Sequence, residues 1–241
     1  ATLDNKGDLG IIFDTDVDRA AIVGPNGRPI NKNALIALIS TIILEEHPQT
    51  TIVTDSVTSN GLANFIKAKG GIHHRFKRGY KNVINEAIRL NEEGRESHLA
   101  IETSGHAAIK ENYFLDDGAY LISKILVKAA QLYRESQDIG KLIGDLDEAL
   151  EDKEIRLKIE DKDFRSYANN LIASLSEKIK TIDGWTQVAE NYEGIRVDCR
   201  DEKGWFLMRS SLHEPLLVIN FESNIKGGCD LISEKLFALI K

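Results

Sequence analysis

The chain has 241 residues, of which 42% are hydrophobic and 29% charged, and its formal net charge is -7. That length suggests two domains, the balance is ordinary for a globular protein, and the negative charge argues against a nucleic-acid partner. Two cysteines, Cys199 and Cys229, are too few for a disulfide framework, lack metal-site spacing, and read as reduced thiols of a cytoplasmic protein. The opening Ala1 to Asp8 is polar, without a signal-like apolar core. The longest helix-like apolar run, about Leu35 to Leu44, is far too short to cross a bilayer, so no membrane partner is expected.

In chain order, Leu9 to Phe13 and Ala20 to Val23 read as two strands of a hairpin, and Gly24-Pro25-Asn26-Gly27 as a turn. Leu35, Leu38, Ile39, Ile42 and Ile43 recur at helical spacing within a helix from about Asn33 to Glu46, closed by Pro48. A strand at Thr51 to Thr54 follows. Ser59-Asn60 then caps a helix that runs to Lys69 and ends at Gly70-Gly71. Ile72 to Phe76 reads as a strand, Asn82 to Asn91 as a helix, His98 to Ile101 as a strand. Asp116-Asp117-Gly118 opens a long helix to about Tyr133. Strands alternating with helices predict a three-layer α/β/α domain with a mixed, mainly parallel sheet, whose loops after Val53, Phe76 and Ile101 are where a ligand would gather.

A short helix is expected from Asp138 to about Glu151. Beyond it the pattern changes. A strand at Ile155 to Ile159 and a helix at Phe164 to Ile179 precede strands at Thr186 to Ala189, Gly194 to Cys199, Trp205 to Arg209 and Leu216 to Phe221. A helix from Gly227-Gly228 closes the chain. Consecutive strands between two helices predict an α+β domain with an antiparallel sheet. Trp185 and Trp205 read as packing residues.

Three stretches carry chemistry. Phe13-Asp14-Thr15-Asp16-Val17-Asp18-Arg19 holds three carboxylates on alternate residues. On an extended backbone they fall on one side. Arg19 offsets only one of them, and a hard divalent ion such as Mg2+ suits oxygen-only ligands in so short a loop. An acidic surface turn without a ligand is the plain alternative. A helix-loop-helix calcium site fails on spacing, because Arg19 falls where that loop needs Gly and Pro25 where it needs Glu. Glu102-Thr103-Ser104-Gly105-His106 puts a carboxylate, a hydroxyl and an imidazole in one loop, which suits the neighbouring hydroxyls of a sugar; a capping turn with a surface His is the alternative. Arg209-Ser210-Ser211-Leu212-His213-Glu214-Pro215 offers a guanidinium, hydroxyls and loop N–H groups to a phosphate, or is a polar hairpin turn. Lys81, after Gly79-Tyr80, is by itself a solvated cation.

Taken in order, the acidic loop, Gly-Tyr-Lys, Glu-x-Ser-Gly-His and Arg-x-Ser-x-x-Glu-Pro resemble the α-D-phosphohexomutase superfamily, the phosphoglucomutase and phosphomannomutase enzymes, over essentially the whole chain. Such enzymes have four domains around one cleft, and the first carries a phosphoserine that passes its phosphoryl group to a hexose phosphate through a bisphosphate sugar. The resemblance implies residues 1–28 as the end of domain 2 with the metal loop, 29–150 as domain 3, and 151–241 as domain 4, with an antiparallel sheet like that of the TATA-box-binding protein. It implies Asp14, Asp16 and Asp18 as Mg2+ ligands, Arg19, Lys81 and His106 as catalytic groups, and Glu102 and Ser104 as ligands of the sugar hydroxyls. Arg209, Ser211 and His213 would hold the phosphate that is not reacting. Partners implied are a hexose phosphate, a hexose bisphosphate and the N-terminal domains of the same protein.

Two departures stand out. No serine loop of the Thr-Ala-Ser-His-Asn-Pro kind is present, so the chain on its own is expected not to turn over. Leu212-His213 replaces the usual Gly-Thr, and Thr103 stands where glucose- and mannose-type members often have Met. A non-catalytic sugar-phosphate binding module and an Asp-nucleophile Mg2+ phosphatase are the rival readings.

Overall fold

The computed structural model describes residues 1–211 and 214–240. The chain forms two compact units, Ala1–Asp147 and Glu148–Lys241. In the first, β1 (Gly10–Phe13), β2 (Ala20–Val23) and β3 (Pro29–Ile30) make a small antiparallel sheet in that order. The β1–β2 hairpin registers Phe13 opposite Ala20, which leaves the acidic residues as its loop.

The second sheet of this unit has four strands, in the order β5 (Ile72–Phe76), β4 (Thr51–Asp55), β6 (Ser97–Ile101), β7 (Ala107–Ile109). The first three run parallel and β7 antiparallel. Every residue of β4 is buried, as expected of a central strand covered on both faces. Alternation assigns those faces. Ile52, Leu99, Ile101, Ala107 and Ile109 join a core with α1 (Lys32–Glu46), α2 (Asn60–Ala68) and α4 (Gly118–Arg134). Val53, Ala100 and Ala108 pack instead against Val83, Ala87 and Leu90 of α3 (Tyr80–Glu92). The result is the expected α/β/α sandwich.

Helix α1 departs from its one-sided reading. Ala34 through Leu44 are all buried, including Ser40 and Thr41, because the helix is apolar almost all round and packs on several neighbours. Ser59 caps α2 by accepting from Leu62 N–H at 2.8 Å, and Asp117 caps α4 through Tyr120 N–H at 2.9 Å. The helix expected from Asp138 is only a 3-10 turn at Ile139–Ile143. Its continuation, Glu151 onward, is already strand. Leu142, Ile143 and Leu146 pack partly against the core that contains α1, while Leu150 is exposed.

The second unit is a five-stranded antiparallel sheet. Its order is β8 (Glu151–Lys158), β12 (Leu216–Ser223), β11 (Gly204–Ser210), β10 (Ile195–Cys199), β9 (Trp185–Gln187). Helices α5 (Phe164–Ile179) and α6 (Gly228–Ile240) cover one face over Val197, Phe206, Met208, Ile219 and Phe221. Trp185 and Trp205 are both buried, and the Arg196 guanidinium lies 3.6 Å from the centre of the Trp205 ring. No helix among the described residues is long and apolar enough to cross a membrane.

Candidate functional site

The acidic loop is not extended, although the alternation argument assumed so. It is a turn, with Val17 held at φ 65°, a region that β-branched residues rarely enter. The turn nevertheless gathers the carboxylates: one oxygen from each of Asp14, Asp16 and Asp18 lies within 4.8 Å of the others. Arg19 folds back across the turn, donating Nε–H to Asp14 Oδ2 at 2.6 Å and its backbone N–H to Oδ1 at 3.2 Å. Burial tends to raise the Asp14 pKa, but these Arg19 contacts outweigh it and hold the carboxyl below its ordinary value. Asp18 goes the other way. Burial pushes it up, Asp16 and Asp14 add to that, and His106 only partly opposes them. One oxygen of Asp18, Oδ1, is buried with no hydrogen-bond partner among the described residues. A buried carboxylate oxygen without a donor, facing two like charges, is the donor set that a hard cation satisfies.

Two glycines bring other elements against this turn. Gly118, first residue of α4, donates its N–H to Val17 O at 3.0 Å, and a Cβ there would stand 2.8 Å from that oxygen. The positive end of a helix therefore sits beside three carboxylates. Gly105, at φ 101°, lies where a Cβ would meet Ala20 O at 3.0 Å. That close approach lets His106 form a β-bridge with Arg19. The Glu102–His106 loop is thus fastened directly to the acidic turn.

Within that loop His106 Nδ1 lies 2.8 Å from Asp116 Oδ2 and 3.6 Å from Asp18 Oδ2, and its ring stacks on Tyr80 at 4.9 Å. Asp116 Oδ1 accepts from Ala107 N–H at 3.2 Å. With Nδ1 held by a carboxylate, Nε2 is the ring nitrogen left to serve a ligand. Glu102 is nearly buried, and both of its oxygens are engaged: Oε1 accepts from Gly79 N–H at 2.6 Å and Oε2 from the Ser104 hydroxyl at 3.2 Å. The Gly-Tyr-Lys segment therefore meets the Glu-x-Ser-Gly-His loop twice, at Gly79 and at Tyr80. Lys81, in the first turn of α3, is exposed, with Nζ 5.8 Å from the centre of the Tyr80 ring.

Eight of the residues singled out from sequence, Asp14, Asp16, Asp18, Arg19, Lys81, Glu102, Ser104 and His106, fall in this loop cluster of the first unit. Arg209 and Ser211 belong to the second unit. Arg209 is buried on β11 opposite Val218, and Ser211 follows the strand, its N–H bonded to Leu216 O at 2.8 Å. His213 lies outside the described residues. Sequence reasoning missed Asp55, Arg78 and Asp116. Asp116 had been read only as part of a helix start. Asp55 ends a strand whose following loop was already a candidate, so its position was the available signal.

The first unit is thus an α/β/α domain in which a carboxylate turn is pinned to a Glu-x-Ser-Gly-His loop. Residues 31–148 match the family model described as phosphoglucomutase/phosphomannomutase, alpha/beta/alpha domain III. A phosphoglucomutase of Neisseria gonorrhoeae is 26% identical over 97% of this chain and 48% of its own length. A phosphomannomutase/phosphoglucomutase of Pseudomonas syringae pv. tomato is 29% identical over 97% of this chain and 47% of its own. Among solved structures, a phosphoglucomutase/phosphomannomutase family protein of Burkholderia thailandensis superposes with a TM-score of 0.78 at 26% identity, covering all of this chain and 48% of its own. The chain is thus similar to phosphoglucomutases and phosphomannomutases along nearly all of its length, and it spans about half the length of the curated relatives it matches.

Proposed function

We propose that the chain is the metal- and sugar-binding half of a Mg2+-dependent phosphohexomutase that interconverts hexose 1-phosphate and hexose 6-phosphate, of glucose or mannose type. In this reading residues 1–28 close the second domain of the enzyme, 29–150 form the third and 151–241 the fourth. The observation that carries it is the β-bridge between Arg19 and His106. It sets a carboxylate turn fit for a hard cation beside a loop fit for vicinal hydroxyls, as phosphoryl transfer to a sugar requires.

Asp14, Asp16 and Asp18 would hold the cation. When bound, Mg2+ supplies charge neutralisation at a phosphoryl oxygen. Arg19 adds a second positive group, partly spent on Asp14. Glu102 accepts from adjacent sugar hydroxyls and Ser104 donates or accepts there, which orients the ring. His106, with Nδ1 on Asp116, gives or takes a proton at a sugar hydroxyl through Nε2. Lys81 supplies a cation to the substrate phosphate. Arg209, Ser211 and His213 hold the phosphate that is not reacting. The phosphoryl group itself passes from a phosphoserine to the free hydroxyl, and the other phosphoryl group returns from the bisphosphate sugar to that serine. No Thr-Ala-Ser-His-Asn-Pro segment occurs in this chain, so the serine would come from the remaining half of a full-length enzyme.

The test is conversion of glucose 1-phosphate by the full-length gene product and by this chain alone. Turnover by the first and binding without turnover by the second are expected. Turnover by this chain alone would contradict the reading. The Leu212-His213 pair, in place of Gly-Thr, favours a second reading, a sugar-phosphate sensor without catalysis. Binding of glucose 1-phosphate with no turnover by the full-length product would establish it.

A further inference from the structure

The C-terminal end of β4 carries a carboxylate that the proposed chemistry does not use. Asp55 is fully buried. Its Oδ2 accepts from the Thr103 hydroxyl at 2.7 Å, and its Oδ1 faces the Thr103 N–H at 3.4 Å. Arg78 Nε stands 3.9 Å from Oδ2. Each of these contacts is one residue away from the same target. Thr103 is the neighbour of Glu102 in sequence. Arg78 is the neighbour of Gly79, whose N–H bonds Glu102 Oε1 at 2.6 Å. Two segments from different parts of the chain position Glu102, and one buried carboxylate touches both.

We propose that Asp55 is a positioning residue that fixes the Glu102 carboxylate by gripping Thr103 on one side and Arg78 on the other. The inference rests on the mutase reading only for what Glu102 binds; the grip itself belongs to the fold. Its consequence concerns sugar choice. Thr103 occupies the position between Glu102 and Ser104, a natural place to read a substrate. Its hydroxyl is turned onto β4 instead, so Thr103 acts on the sugar by aiming Glu102, not by touching it. The arrangement also explains the cost the fold accepts. Burial, and then the charge of Glu102, push the Asp55 carboxyl up to about 6, with Thr103 and Arg78 opposing them. A group so disfavoured at a strand end persists where its hydrogen bonds are needed. Gly79 is held at φ 114° as the cap residue of α3, which restricts how far its N–H can follow a displaced Glu102.

The experiment uses this chain, labelled with 15N. The Gly79 amide proton, bonded to a carboxylate at short range, is the reporter of Glu102. Thr103→Val removes the hydroxyl at nearly constant volume, Thr103→Ser restores it, and Asp55→Asn removes the charge. Thr103→Val and Asp55→Asn should move the Gly79 amide resonance upfield, and Thr103→Ser should leave it near its original place. Calorimetry with glucose 1-phosphate on the same samples should show affinity about tenfold weaker in Thr103→Val and near wild type in Thr103→Ser. A Gly79 resonance unmoved in Thr103→Val, in a spectrum as well dispersed as the wild type, would overturn the proposal. Should Thr103→Val fail to fold, Asp55→Asn against Thr103→Ser decides by the same resonance. A shifted Gly79 with no glucose 1-phosphate binding by the wild-type chain would support the grip and count against the mutase reading alone.

Discussion

The loop cluster of the first unit and the Arg209 turn of the second are both read as ligand-binding, yet they are built differently. In the first, the deciding contacts join residues far apart in sequence: Asp55 with Thr103, Gly79 with Glu102, Arg19 with His106, Val17 with Gly118. In the second, they are neighbours across one hairpin. Ser211 N–H bonds Leu216 O, Ser211 Oγ lies 3.4 Å from Glu214 N, and Arg209 sits in register with Val218. Long-range fastening holds the first cluster in shape before any ligand arrives, and that preorganisation is what binding and transfer need. A hairpin turn takes its shape from its own strand pair.

The largest expected effect sharpens the contrast from the packing side. Phe206 lies under Trp185, with ring centres 5.3 Å apart, in the core of the second unit. Phe206→Ala should cost about 3–5 kcal/mol, read by urea unfolding followed through tryptophan emission, since both tryptophans belong to this unit.

Next comes a pH effect confined to the first unit. The carboxyl of Asp55 is raised from 3.8 to about 6 by burial and by Glu102. A folded state that holds a proton more tightly than the unfolded chain gains stability below pH 3.8 and loses it as pH rises through 6. The stability of the wild type minus that of Asp55→Asn should therefore fall by up to about 3 kcal/mol between pH 4 and 7. A difference that stays flat across that range would break the account of Asp55.

Asp16→Asn should weaken Mn2+ binding by about tenfold or more, equivalent to about 1.4 kcal/mol, measured by electron paramagnetic resonance of free Mn2+. Unchanged affinity would make the turn an ordinary acidic surface. Glu102→Ala in the full-length enzyme should lower turnover at least about tenfold, a loss of roughly 1.4 kcal/mol in the transition state. The smallest effect belongs to the hairpin. Ser211→Ala should change stability by no more than about 0.5 kcal/mol, because among the described residues its hydroxyl makes one long bond, to Glu214 N–H at 3.4 Å. It should weaken glucose 1-phosphate binding all the same if the turn holds a phosphate.

Much of this was legible in sequence. Helix and strand periods marked nearly every element, and the caps at Ser59 and Asp117 fell where their side chains predicted. The acidic turn was found for a partly mistaken reason. Alternation on an extended strand does not describe it, and the convergence comes from a left-handed Val17 and the closing Arg19–Asp14 pair. Such a conformation is set by tertiary contacts, here with α4, that no local pattern encodes. The same holds for β7, whose three residues Ala107–Ile109 are too few to show a period, and for Asp138 to Leu146, where apolar spacing was met by a 3-10 turn and loop packed against the core that contains α1. Asp116 and Asp55 were hidden for a further reason. Their partners, His106 and Thr103, lie 10 and 48 residues away, and a carboxylate becomes part of a site only once the fold supplies what it touches.

The central claim is that the carboxylate turn and the Glu102–His106 loop form one site for a hexose phosphate. Paramagnetic relaxation of the 31P nucleus of glucose 1-phosphate by Mn2+, in the presence of this chain, tests it directly. The account predicts faster relaxation than with Mn2+ alone, strongly reduced both by Asp16→Asn, which weakens metal binding, and by Glu102→Ala, which weakens the hold on the sugar. Binding of both Mn2+ and glucose 1-phosphate to the chain, with no effect of one on the relaxation of the other, would contradict it.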